Sequence, residues 1–217
     1  MSDQVSLSSL DLAALLCSRV CHDLISPAGA IVNGLEVLEE SKDEETKTFA
    51  LDLIKKSARV ASARLQFCRI AFGAAGSAGA QIDLGDAGNV AKGFIEDDKV
   101  KLAWNPPRVM LPKNRVKLAL NLLLIGVQAI PRGGHLTVDP VGDGETMAFR
   151  VTATGLNARV PATAVELLNG GEPGRTIDAH AIQPFYTGML ARECGMTVSI
   201  APEGDAIVVL ASNTPQV

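Results

Sequence analysis

A chain of 217 residues, 47% of them hydrophobic, is long enough to bury a core as one large domain or as two modest ones. Its formal charge of -4 and isoelectric point near 5.4 argue against a general binder of nucleic acid or of a membrane surface, because both partners reward a positive footprint. Four cysteines in apolar, helix-like surroundings, behind an opening MSDQVSLSSLD with no basic or apolar leader, set the expectation of a reduced, cytoplasmic protein.

From Leu10 the apolar residues recur at steps of four and three: Leu10, Ala14, Cys17, Cys21, Leu24, Ala28, Ile31, Leu35 and Leu38. A seam kept over four heptads predicts a long bundled helix. Ser8 with Asp11 resembles a capping box, and SKDEE at 41–45 supplies a turn and a second cap, so the helix should run from about Ser9 to Glu40. A second stripe follows, through Ala50, Leu53, Ile54, Ser57, Val60, Ala61, Leu65, Cys68, Ala71 and Phe72. Two long helices with a short joint make an αα-hairpin. At 1.5 Å per residue it is roughly 45 Å long and cannot bury both seams against itself, so a homodimer forming a four-helix bundle is the natural completion.

GAAGSAGA at 73–80 reads as a linker. Beyond it the pattern predicts a short strand near Gln81–Asp83, a helix over Leu84–Glu96, a strand VKLAW and a helix over Lys113–Ile130. GHLTVDPVGDGETMAFRVTA alternates around GDG as a hairpin does. Helical patterns at 161–169 and 178–194 precede the strand pair TVSIA and AIVVLA, separated by PEGD. The expected class is α+β: a helical hairpin over 1–74, a linker over 75–81, and a sheet with helices on one face over 82–217. The apolar runs LALNLLLIGVQAI and IVVLA are too short or too interrupted to cross a bilayer.

The stretch CHDLISPAG at 21–29 carries the chemistry. His22 falls one step outside the predicted seam, toward solvent, with Arg19 at i-3 and Ser26 at i+4 on its face and Asp23 beside it. A neutral imidazole is a competent nucleophile near pH 7. Asp23 can hold the proton on one ring nitrogen and leave the other lone pair free. Phosphorus suits this set better than an acyl carbon, since no oxyanion hole is indicated and Arg19 can offset phosphoryl charge. Pro27 removes one helical hydrogen bond and should bend the helix, freeing the Asp23 carbonyl. A surface histidine beside a kinking proline is the plain alternative, and on local geometry it stands level.

HDLISP fits H-[DE]-L-x-[ST]-P and resembles the H-box of histidine kinases and histidine phosphotransfer proteins. The resemblance implies His22 as phosphoacceptor and Asp23 as its acid/base neighbour, with Ile25 a mild departure where the family often has a basic residue. NLLLIGVQAIPRGGHLTV at 121–138 resembles that family's N-box. Asn121 is present, but the second amide position is Ile125, which cannot ligate Mg²⁺. In FRVTATGLNARV, Ala153 stands where the family has the adenine-reading aspartate, and Asn157 replaces a glycine. The Gly-rich box is missing, GGEPGRT at 170–176 being a weak echo. Three altered boxes within a retained hydrophobic pattern imply a degenerate ATPase sandwich that does not bind ATP.

That combination resembles the ChpT-type histidine phosphotransferases of alphaproteobacterial phosphorelays. The group implies a homodimer passing phosphoryl groups through His22 from the receiver domain of a hybrid kinase (CckA-type) to response regulators (CtrA-type and CpdR-type). Mg²⁺ would reside on the receiver and no cofactor on this chain. Receiver docking is expected around His22, supported by Arg19, Ser26, Pro27, Gly29 and Ala30 with Ala28, and more weakly on the second domain. An ATP-dependent kinase with divergent boxes and a docking scaffold that carries no phosphate are the competing readings. Cys17, Cys21 and His22 as a haem or metal cluster is disfavoured because both cysteines belong to the predicted buried seam. His135 and His180 are expected to be structural or exposed, and Gly85 and Gly88 to serve helix packing.

Overall fold

The computed structural model describes residues 7–73, 79–171 and 176–214. Helix α1 spans Ser9–Glu40 and α2 spans Glu44–Ala71. Ser8 and Asp43 start them: the Ser8 hydroxyl accepts from the Asp11 N–H at 3.1 Å, and the Asp43 carboxylate accepts from Thr46 N–H and Oγ1 at 2.8 and 2.7 Å. Each cap satisfies donors that the first helical turn leaves orphaned. These hydrogen bonds hold the Asp43 carboxyl below its ordinary pKa, the side-chain bond from Thr46 contributing most.

The two helices meet along a line rotated by about one residue from the predicted seam. Leu16, Val20, Leu24, Pro27, Ile31, Gly34 and Leu38 turn inward, while Leu10, Cys17, Cys21, Ala28 and Leu35 remain exposed. Two of the inward residues, Pro27 and Gly34, are invisible to a hydrophobicity pattern, which explains the shift. Gly34 sets the helix spacing, since a Cβ there would lie 2.7 Å from Ile54 Cγ1. Cys17 and Cys21, placed on the bundle seam by the sequence, are exposed in the single chain. Cys68 is buried, and burial followed by the Asp23 charge pushes its thiol up to about 11.

The second half carries β1 (Gln81–Asp83), α3 (Leu84–Ile95), β2 (Val100–Trp104), β3 (Met110–Pro112), α4 (Lys113–Ala129), β4 (Gly134–Val141), β5 (Ala148–Thr154), α5 (Ala164–Leu168), α6 (Ile182–Glu193), β6 (Met196–Glu203) and β7 (Ala206–Asn213). Among the described residues the strands form a β1-β3 ribbon and a five-stranded sheet ordered β2-β4-β5-β7-β6, antiparallel except for the β2-β4 pair. The register aligns Leu136, Ala153 and Ile207 in one cross-strand row and Val138, Val151 and Val209 in another. These rows are buried, whereas the alternating Thr137, Thr152 and Arg150 are half-exposed, so the helices cover one face.

Helix α4 is the spine of this core, with Leu118, Leu120, Leu122, Leu123 and Ile125 all inaccessible. Strand β3 lay outside the sequence pattern because a three-residue ribbon strand has no period to read. The GDG turn is longer than the tight hairpin expected. Gly142 and Gly144 take left-handed φ of 74° and 60°, followed by a 3-10 turn over Gly144–Thr146. Gly88 serves packing as expected, because a Cβ there would sit 2.6 Å from the Trp104 indole. The linker expected at 75–81 and the GGEPGRT echo lie partly outside the described residues.

Aromatic and aliphatic contacts fasten the hairpin to the sheet unit at both ends. Phe67 of α2 stacks on Phe94 of α3 with ring centroids 4.1 Å apart. At the other end Leu12, Leu15 and Leu16 of α1 pack on Leu167, Ile177, Ile182 and Phe185. By length and composition α1 is apolar enough to cross a bilayer, but it carries Arg19, His22 and Asp23 mid-length, and its Leu12, Leu15 and Leu16 are spent on these contacts.

Candidate functional site

His22 lies near the middle of α1, its side chain 66% exposed. The α-helix runs on through Pro27. Proline has no N–H to give the carbonyl four residues back, that of Asp23. The freed carbonyl is taken by Arg64 of α2, whose Nη1 donates to it. Freeing of the Asp23 carbonyl was legible in the sequence; its recipient was not, although a free carbonyl facing a neighbouring helix calls for a donor there.

Asp23 is the hinge of the cluster. One carboxylate oxygen lies 3.4 Å from His22 Nδ1, and the other accepts from Arg19 Nε at 3.2 Å. Arg19 and Asp23 are only 19% and 15% exposed, so this i,i+4 pair keeps the carboxylate oriented while the imidazole stands in solvent. With the Nδ1 proton turned toward Asp23, the Nε2 lone pair points away from the carboxylate. Arg19 therefore acts on the carboxylate.

Ser26 lies with His22, Asp23, Ile25, Arg64 and Phe94 around an open hollow of about 400 Å³. Gly29 and Ala28 are exposed, and a Cβ at Gly29 would meet nothing within 4 Å, so this stretch of α1 offers a low surface. Ala30 is half-buried. Pro27 is buried, which corrects its expected place on a docking surface: it acts from inside, by releasing the carbonyl that Arg64 holds. A second, polar hollow of about 460 Å³ is lined by residues that include Arg19, Gln128, Thr163, Asp178 and His180. The His180 ring meets that of His22 edge-on, centroids 5.5 Å apart at 77°. That neighbour was missed, since no local pattern links residues so distant in sequence.

At the kinase-like nucleotide boxes Asn121, Ile125 and Ala153 are turned into the core. Asn121 is wholly buried, and its amide donates to the Ala71 carbonyl at 3.0 Å and the Lys117 carbonyl at 2.9 Å. Its own carbonyl accepts from Gln183 Nε2 at 2.9 Å, and Gln183 also binds Thr187. The side chain that would turn to a metal is committed to holding α2, α4 and α6 together. Ile125 and Ala153 are fully buried hydrocarbon. Asn157 adopts φ 61°, in the left-handed region that favours glycine and that asparagine tolerates. Among the described residues no group of three or more His, Cys, Asp or Glu side chains converges as metal ligands would.

Comparison with known proteins supplies the family. Residues 84–206 match the family described as histidine phosphotransferase C-terminal domain. The chain is 57% identical over 208 residues to the protein phosphotransferase ChpT of Brucella abortus (strain 2308), covering 96% of this chain and 98% of that one. Among solved structures it resembles a bacterial phosphotransferase at 1.7 Å with a TM-score of 0.87 and 54% identity, covering 97% of this chain and all of that one. The histidine kinase domain of a blue-light activated histidine kinase from Erythrobacter litoralis gives a TM-score of 0.45 at 15% identity, over 86% of this chain and 92% of that domain.

Proposed function

This chain belongs to the histidine phosphotransferase family and is a phosphotransferase; from that premise we propose that His22 is its phosphoacceptor and Asp23 its acid/base partner. The observation that carries the reading is the pairing of an exposed His22 with a shielded, Arg19-held Asp23 at Nδ1. The Nε2 lone pair attacks the phosphorus of an aspartyl phosphate on a receiver domain. The N–P bond forms as the acyl P–O bond breaks, and the receiver carboxylate leaves. Asp23 faces the Nδ1 proton and stabilises the positive ring that results. Attack by a second receiver's aspartate reverses each step. Mg²⁺ on the receiver supplies charge neutralisation at the transferring oxygens.

The relay runs from a CckA-type hybrid kinase receiver to CtrA-type and CpdR-type regulators in the cytoplasm, without ATP bound to this chain. The commitment of Asn121 and the hydrocarbon at Ile125 and Ala153 support the last point. The chain acts as a homodimer. Support comes from the exposed apolar residues left on the hairpin, including Val32, Leu35, Phe49, Leu53 and Leu65, which a second hairpin would cover. The division into a hairpin over 1–74, a linker over 75–81 and a sheet domain over 82–217 belongs to the same reading.

The decisive experiment incubates the full chain with a phosphorylated receiver domain and, separately, with labelled ATP. Transfer should label His22, His22→Ala should abolish it while leaving the oligomer intact, and ATP should label nothing. Transfer by His22→Ala overturns the assignment, and labelling by ATP restores the kinase reading.

A further inference from the structure

The His22 ring is held less firmly than its role requires by its own helix alone. Its one polar partner on α1 is the Asp23 carboxylate at 3.4 Å, beyond the usual range of a good hydrogen bond. The χ2 torsion of histidine is broad and roughly two-fold, so a weakly tethered, 66% exposed imidazole samples both faces. Half of those orientations put Nδ1 away from Asp23 and lose the tautomer that leaves Nε2 free to attack. A second restraint has to come from outside α1.

We infer that His180, in the segment leading into α6, is a positioning residue for phosphotransfer, its ring packing edge-on against His22 and holding that imidazole on Asp23. The inference rests on the assignment of His22 as phosphoacceptor. The contact is a 77° edge arrangement with centroids 5.5 Å apart, within the range where aromatic rings gain from meeting edge to face.

What makes His180 a fit restraint is how its backbone is fixed. The Asp178 carboxylate accepts from the N–H groups of His180 and Ala181 at 2.9 and 2.8 Å, and the Asp178 carbonyl accepts from Ile182 N–H at 3.0 Å. Ile177 and Ile182 bracket this turn, and both are buried against Leu12, Leu15 and Leu16 of α1. The turn is thus anchored on the same helix that carries His22, two turns earlier. Any tilt of α1 moves both imidazoles together. A sheet domain with no use for a nucleotide still has a reason to stay clamped to α1: it delivers the second ring.

The test measures single-turnover transfer from a phosphorylated receiver domain at increasing receiver concentration, with the ring nitrogens of His22 followed by NMR. His180 is exposed, so its substitution should leave the fold intact. His180→Ala should lower the maximal rate about tenfold, the scale of modest mispositioning, with the half-saturating receiver concentration unchanged. The His22 nitrogen shifts should move from one tautomer toward a mixture. His180→Phe, which keeps a ring edge, should restore the rate to within about twofold of wild type. An unchanged maximal rate in His180→Ala overturns the inference. So does a change confined to half-saturation, which would make the turn a docking surface, or a His180→Phe variant as slow as His180→Ala. His22→Ala run alongside separates the two readings. If it is dead while His180→Ala matches wild type, only the positioning role fails; if it still transfers, the phosphoacceptor assignment fails.

Discussion

The protein holds two polar clusters built from similar materials and left in opposite states. Around Asn121 the amides of Asn121 and Gln183 are sealed in the core, with donors matched to the carbonyls of Ala71, Lys117 and Asn121 itself. Around His22 the bonds stop one atom short: Arg19 and Arg64 hold Asp23, Asp23 faces Nδ1 at 3.4 Å, and the ring stands mostly in solvent. A fully satisfied network can only hold elements together. A network with one strong nucleophile left over can react. The family resemblance puts chemistry at both places, and the hydrogen bonds separate them.

The sharpest way to break this contrast is to make the closed cluster charged. Asn121→Asp is nearly isosteric but aims a carboxylate at two buried carbonyls, so it should destabilise the fold by on the order of 3 kcal/mol. A lowered urea midpoint with normal transfer from the folded fraction would confirm a structural role. An unchanged midpoint would mean that the cluster is open to water and that the amide is available to a ligand. In the open cluster, Asp23→Asn should do the reverse. It keeps the shape and loses the proton partner, so transfer should fall roughly 100-fold, while thermal stability changes by less than about 1 kcal/mol. Equal effects on rate and stability would erase the distinction.

Most of the fold was legible because its elements are long and periodic. Helix α1, α3, α4 and the β4-β5 and β6-β7 pairs fall where the spacing of apolar residues and turn glycines puts them. The legible part of the site was the part carried on one helix: His22, Asp23, Arg19 and Ser26 are neighbours by helical geometry alone. Arg64 and His180 were not, because they come from α2 and from the segment before α6, and only tertiary packing brings them to the site. The inward seam was misplaced for a related reason. Pro27 and Gly34 pack through small size and backbone approach, which hydrophobicity does not record. Cys17 and Cys21, on the same predicted seam, lie on a face of the hairpin that the single chain leaves uncovered.

The smallest expected effect probes how the two halves of the hairpin share one carbonyl. In the native chain the Asp23 oxygen has lost its helical donor to Pro27 and depends on Arg64. Arg64→Met should therefore cost about 1–2 kcal/mol, the value of an unpaired, partly buried acceptor. Pro27→Ala returns a backbone N–H within reach of that oxygen, so in the Pro27→Ala background the same Arg64→Met change should cost at least about 1 kcal/mol less. A double-mutant cycle by chemical denaturation reads that coupling directly. If the two substitutions are additive, Arg64 is not there for the carbonyl, and its place beside the His22 hollow has to be explained by the phosphoryl charge instead. If they couple, the proline of the H-box has a defined physical role, freeing a helix-internal acceptor so that the second helix can grip the first, one residue from the reacting ring.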